Sequence, residues 1–186
     1  LKKLYIAGGE PTAIIEFYDF LDKCIQDNQT DYEILVNTNA TKLNSRFKKQ
    51  LTQFSNLQFI ISIDGFDQLN HYIRWPSDWN TIVKNAHYLK DHGHKISFNT
   101  TVSIYNVAFL DQLFEFFDRE FSGVLVHAAF AETPDNRLSA LHYPNPQAVL
   151  TSLERVTKMQ CYKNDWLLKS FVNGLINHYE NNYQKR

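Results

Sequence analysis

Four short stretches bring polar side chains to the ends of apolar runs. The first, LYIAGGEPT (4–12), carries a strand-like run into Gly8, Gly9, Glu10 and Pro11. Paired glycines let a ligand come close to the backbone. Strand-end carbonyls and a carboxylate are acceptors, which suits a cation such as an ammonium group. The plainer reading is a strand-to-helix turn, with Glu10 placed near a helix N-terminus, where negative charge is favourable. Both readings stand on the residues alone. The second stretch ends in Thr38 and Asn39. The third is SIDGFDQLNHYIRWP (62–76), where the two-residue period puts Ser62 and Asp64 on one side of a strand. Arg74 follows in a loop from which a guanidinium can return to clamp a carboxylate. Against that stands a simple turn at Asp64-Gly65 with a surface arginine. The fourth contains Asn99 and Thr101, and a polar asparagine in a buried strand needs a partner, ligand or backbone. His127 closes a later apolar run and reads first as a satisfied core histidine.

The elements that must position these residues alternate. Apolar runs at 3–7, 32–39, 57–64, 95–104 and 123–130 read as strands. Amphipathic stretches at 11–27, 40–54, 78–93 and 107–121 read as helices. Pro11 suits a first helical turn. In the first helix the spacing puts Ile14, Ile15, Tyr18, Leu21 and Ile25 inward, and in the second Leu43, Phe47, Leu51 and Phe54. Asp78 and Gly93 punctuate the third helix, and Asn106 is placed to cap the fourth. Near-continuous apolar strands separated by helices predict an α/β fold with a parallel sheet and right-handed crossovers. In such folds ligands bind at the carboxyl ends of strands, where the four stretches lie. The segment 131–146 reads as a loop. Two further helices near 146–159 and 163–183 look polar enough to be peripheral. The expected organisation is a core over 1–130, then a loop and helical segment over 131–186.

The bulk numbers set limits. A chain of 186 residues, 44% apolar and 21% charged, is long enough for a real core. A net charge of −1 gives no electrostatic footprint for nucleic acid or an anionic membrane. Two cysteines, Cys24 and Cys161, make neither a disulfide framework nor a metal cluster, which points to a reducing, cytoplasmic setting. No apolar run approaches the roughly 20 residues of a membrane span. His87, His92 and His94 cluster at a helix end without the carboxylate or thiol that would complete a metal site. No nucleophile elbow, P-loop or dinucleotide fingerprint is present.

Strand-GGEP-helix, then strand-TNAT, then strand-SIDG with HYIR behind it, resembles the radical S-adenosylmethionine enzymes over residues 1–130. The branch it looks most like follows its core with a twitch or related segment. The resemblance implies a partial (β/α)6 TIM-like barrel that lacks its first βα unit here. It implies that Gly8, Gly9, Glu10 and Pro11 hold the α-amino group of S-adenosylmethionine. Ser62 and Arg74 would meet the methionine carboxylate or ribose, with Asp64 beside them. Asn99 would meet the ribose hydroxyls, Asn39 would line the cavity, and 124–128 would flank the adenine. Such enzymes carry a [4Fe-4S] cluster on a C-x3-C-x2-C loop, and this chain has no such motif. Its start at Leu1, within a strand, leads us to expect a fragment with the cluster ligands upstream. The implied chemistry is reductive cleavage to a 5′-deoxyadenosyl radical that abstracts hydrogen. The electron donor would be flavodoxin or ferredoxin, and peptides and proteins are among the substrate classes. The other class of function open to these residues is a non-catalytic α/β module that binds a nucleotide or amino acid.

Overall fold

The computed structural model describes residues 3–131 and 136–183. Five strands form one parallel sheet: β1 (Lys3–Ile6), β2 (Glu33–Thr38), β3 (Leu57–Ser62), β4 (Lys95–Val102) and β5 (Leu125–Phe130), side by side in chain order. The sheet is open, with β1 and β5 as edges. Register pairs Leu4 with Ile34 and Val36 with Phe59. The expected α/β architecture with a parallel sheet is therefore present. By contacts the chain divides into two compact units. One is Leu1–Ser62 with Ser77–Ser97, and the other is Ile63–Pro76 with Phe98–Arg186.

In the first unit, helices α1 (Ile15–Gln26), α2 (Ser45–Leu51) and α4 (Trp79–Asp91) bury an apolar stripe each. Phe47 joins them: its ring lies 5.6 Å from Phe17, 5.7 Å from Tyr18 and 6.2 Å from Phe59. Each such buried aromatic is worth about 1.5–3 kcal/mol of transfer free energy. The stripe of α1 differs from the sequence expectation. Phe17, Tyr18, Leu21 and Cys24 are buried, while Ile14 and Ile15 are exposed. The cause is a 3-10 turn over Pro11–Ala13, after which Ile14 is extended and the α-helix starts afresh. The second helix is also shorter than expected. Ala40 has φ +55°, and Asn44 Oδ1 accepts from Phe47 N at 2.8 Å, so α2 begins only at Ser45. Asp78 caps α4 through Thr81 N at 2.8 Å, and Gly93, at φ +83°, follows its end.

β1 is not the buried strand its composition suggests. Lys3 and Tyr5 are exposed and Leu4 and Ile6 only half-buried, because an edge strand has a neighbour on one side alone.

His94 lies edge-on to Phe59, 5.7 Å between centroids. Burial pulls its pKa below the ordinary value, and a backbone hydrogen bond at Leu57 opposes this. The folded chain therefore binds fewer protons at this site than the unfolded chain does. The contribution is complete above the unfolded imidazole pKa of about 6.5 and is lost as pH falls through that value towards the folded one. Urea melts at pH 7.5 and pH 5 should show a smaller loss of stability for His94→Gln than for the parent chain. Equal losses would remove His94 from the account.

In the second unit, Phe98 stacks on Phe117 at 4.2 Å and meets Phe121 at 5.0 Å. Helix α5 (Leu110–Glu120) supplies most of this aromatic core, while Phe109 remains 40% exposed. Helices α6 (Pro146–Val156), α7 (Gln160–Asn164) and α8 (Trp166–Tyr183) complete the unit. The expectation that the C-terminal helices are peripheral is corrected. Val149, Leu153, Val156, Val172 and Leu175 are fully buried. Long polar stretches hide a narrow apolar stripe in α6 and α8, while α7 buries no residue. A short helix α3 (Gln68–Ile73), not expected from the sequence, follows β3, and a Cβ added at Gly65 would lie 2.7 Å from Leu69 Cγ.

Candidate functional site

The chain leaves β1 through Gly8 at φ +101° and Gly9 at φ +54°. A Cβ at either position would meet no protein atom within 4 Å, and both φ values lie in the left-handed region that favours glycine. The turn they make delivers Glu10, extended at φ −135°, to the N-terminus of the Pro11–Ala13 turn. Its Oε1 accepts from Thr12 N at 3.1 Å, Thr12 Oγ1 at 2.7 Å and Thr38 Oγ1 at 2.6 Å. Its Oε2 accepts from Asn39 N at 2.6 Å. All four donors are neutral, so they orient the carboxylate without cancelling its charge. Tyr18, whose hydroxyl donates to Thr12 O, has its pKa raised by burial and then by the Glu10 charge.

The end of β2 is shaped around this carboxylate. Asn39 Oδ1 accepts from Thr41 N at 2.9 Å and Thr41 Oγ1 at 2.7 Å, closing a side-chain turn. That turn aims the Asn39 amide at Glu10. Ala40 N donates to Thr38 Oγ1 at 3.0 Å, and Asn85 Nδ2 donates to Ala40 O at 2.7 Å. At the end of β3, Ser62 Oγ donates to Asn37 Oδ1 at 3.2 Å.

The second unit holds a separate polar knot. Asp64 is 5% exposed. Its Oδ1 accepts from Thr101 N at 2.6 Å, and its Oδ2 lies 2.7 Å from Arg74 Nε. Arg74 and Asp64 thus face each other. The Asp64 backbone N donates to Asn70 Oδ1 at 2.9 Å. Asn106 Nδ2 donates to Asp64 O at 2.6 Å and Thr101 O at 2.8 Å, and its Oδ1 accepts from Ser103 N at 2.7 Å. The expected helix cap at Asn106 is therefore corrected: the side chain ties strand ends and makes no cap hydrogen bond. Asn99 is half-buried and accepts from Ile63 N through its carbonyl at 3.0 Å. His127 is half-buried on β5.

The structure gathers Glu10 with Asn39 in the first unit, and Asp64 with Arg74 in the second. Thr12, Asn70 and Asn106 take part and were not among the site residues proposed from the sequence. Thr38 stood visibly at a strand end, but its bond to Glu10 spans 28 residues, and no spacing rule links them.

Neither cysteine presents a ready thiolate. Cys24 is buried in α1 and its pKa is raised by burial, then by Asp27. Burial and the adjacent Asp118 push the Cys161 thiol up to about 12. Metal ligation needs the thiolate. Among the described residues no group of three or more His, Cys, Asp or Glu could hold a metal ion. With two cysteines in all, the residues of this chain do not fit a [4Fe-4S] cluster. Alkylation at pH 8 should leave Cys161 far slower than a free peptide thiol, and rapid labelling in the folded chain would contradict its environment.

No family model and no curated protein matches the chain. Solved structures do. Streptococcus suis SuiB matches at 17% identity and TM-score 0.60, over 84% of this chain and 36% of that one. The anSMEcpe structure with bound AdoMet (S-adenosylmethionine) matches at 16% and 0.59, over 84% of this chain and 43% of that one. A domain of a pyruvate-formate lyase-activating enzyme from Bacteroides vulgatus matches at 16% and 0.51, over 83% and 92%. The chain spans 36–45% of the length of the SuiB and anSMEcpe chains. At 16–17% identity the likeness is one of fold. Other solved states include SuiB bound to S-adenosylmethionine and SuiB bound to the precursor peptide SuiA.

Proposed function

We propose that this chain is the S-adenosylmethionine-binding part of a radical S-adenosylmethionine enzyme. The observation that carries the reading is the Glu10 carboxylate at the end of β1. It is held by four neutral donors and set beside glycines on a fold shared with AdoMet-bound proteins. That is an acceptor built for a cation, and the α-ammonium of S-adenosylmethionine is one.

In this reading Gly8, Gly9, Glu10 and Pro11 seat the ammonium, and Asn39 lines the same cavity. Ser62 and Arg74 take the carboxylate or ribose, and Arg74 has guanidinium nitrogens besides Nε for this while Asp64 fixes the group. Asn99 meets the ribose, and 124–128 flank the adenine. Bound S-adenosylmethionine supplies an activated sulfonium, while the chain binds, orients and excludes water. Two cysteines, neither of them in a group that could hold a metal ion among the described residues, supply no cluster site in this chain. The reading assigns cluster chemistry, a flavodoxin or ferredoxin electron donor and a twitch segment to a whole enzyme working in the cytoplasm. It also assigns that enzyme a peptide substrate, which the peptide-bound SuiB and anSMEcpe neighbours support. Among the described residues no helix is long and apolar enough to cross a membrane.

The lack of cluster ligands favours one other reading, a non-catalytic α/β module that binds a nucleotide or amino acid. Calorimetric titration of the chain tests the first. S-adenosylmethionine should bind, and 5′-methylthioadenosine, which lacks the amino-acid portion, should bind at least about tenfold more weakly, a gap of about 1.4 kcal/mol. Equal affinities, or no binding of S-adenosylmethionine at millimolar concentration, would sink the proposal.

A further inference from the structure

We infer that Thr38 is the positioning residue that leaves one specific atom, Glu10 Oε2, to receive the ligand's ammonium. The inference rests on the reading of Glu10 just given and goes beyond it. A carboxylate offers about four lone-pair directions, two per oxygen. Oε1 already accepts three hydrogen bonds, from Thr12 N, Thr12 Oγ1 and Thr38 Oγ1, so it is saturated. Oε2 accepts one, from Asn39 N, and keeps a direction open. An arriving ammonium therefore meets Oε2.

Thr38 decides which oxygen is which. A hydroxyl can rotate and can give or take a hydrogen bond. Here Ala40 N donates to Thr38 Oγ1 at 3.0 Å, which commits the hydroxyl proton to Glu10. Ala40 can point its amide that way because it sits at φ +55°, in the left-handed region that side chains other than glycine rarely adopt. Its carbonyl is held from the far side by Asn85 Nδ2 at 2.7 Å. Thr38 is 3% exposed, Ala40 0% and Asn85 7%, so water does not compete along this path. The order runs from Asn85 to Ala40 to Thr38 to Glu10, each link with its proton direction set. Thr38 touches no ligand in this account; it acts through Glu10.

The test compares two probes on the full chain, S-adenosylmethionine and 5′-methylthioadenosine. The readout is the ratio of their affinities, which a general loss of stability does not move. Thr38→Val keeps the side-chain shape and removes the donor. It should weaken S-adenosylmethionine about tenfold while leaving methylthioadenosine unchanged. Thr38→Ser, which restores the hydroxyl, should return the ratio to within about twofold of the parent. If Thr38→Val does not fold, Thr38→Cys takes its place under the same criterion, since its thiol keeps volume and is a weak donor. A valine variant with the parent's ratio overturns the role of Thr38 while leaving Glu10 intact. A serine variant that behaves like valine does the same. A parent chain that binds both probes alike overturns the reading of Glu10 and, with it, this inference.

Discussion

Replacing Asn106 by alanine should lower the stability of the chain by about 3 kcal/mol or more. Asn106 is 1% exposed and satisfies Asp64 O, Thr101 O and Ser103 N at once. Alanine leaves all three backbone groups without that partner in a dry place. Each buried group so orphaned costs about 1–3 kcal/mol. Water entering the gap would recover part of this, which keeps the figure at the lower end of the sum. Asn106→Asp should also destabilise, because a carboxylate cannot donate to the two carbonyls and would repel them. Urea denaturation reads the effect as a lower midpoint at unchanged slope. A loss below about 1 kcal/mol would show that the knot at Asp64 stands without Asn106.

Replacing Glu10 by glutamine should weaken S-adenosylmethionine binding by about a hundredfold, near 2.7 kcal/mol. The exchange keeps size and shape and removes the charge. It also creates a conflict. Both glutamate oxygens accept from backbone N–H groups, Thr12 N on one and Asn39 N on the other. A glutamine NH2 placed on either side faces a donor with a donor. The variant should therefore melt earlier than the parent as well as bind less. The two effects separate in the probes: methylthioadenosine binding should follow only the folded fraction, and S-adenosylmethionine binding should fall further. A variant that binds S-adenosylmethionine as the parent does would remove Glu10 from the site.

Much of this arrangement was legible in the sequence. Gly8-Gly9-Glu10-Pro11 marked a strand end that could be an acceptor-rich site or a plain strand-to-helix turn, and the residues alone left both open. The alternation of apolar runs with amphipathic stretches gave the order of strands, and Asp78 and Gly93 marked their helix well. What the sequence hid is what depends on partners far along the chain. The Thr38 bond to Glu10 crosses 28 residues, and the Asn106 bond to Asp64 crosses 42. Local rules placed Asn106 as a cap, yet distant carbonyls claimed its amide. The restart of α1 at Ile15 followed from a carboxylate fixing the preceding turn, and no periodicity reports such an event. The position of β1 at the edge also decided its exposure, and a run of four or five apolar residues looks the same at an edge as at the centre.

That edge can be watched from outside. Among the described residues, those amides of β1 that face away from β2 have no strand to bond with, so their protons should exchange with deuterated water soon after mixing. The amides that bond to β2 should exchange far more slowly. β1 thus carries its own gauge of occupancy. Whatever chain segment comes to lie along it, from the same molecule or another, would first make itself known as a handful of protons that stop leaving.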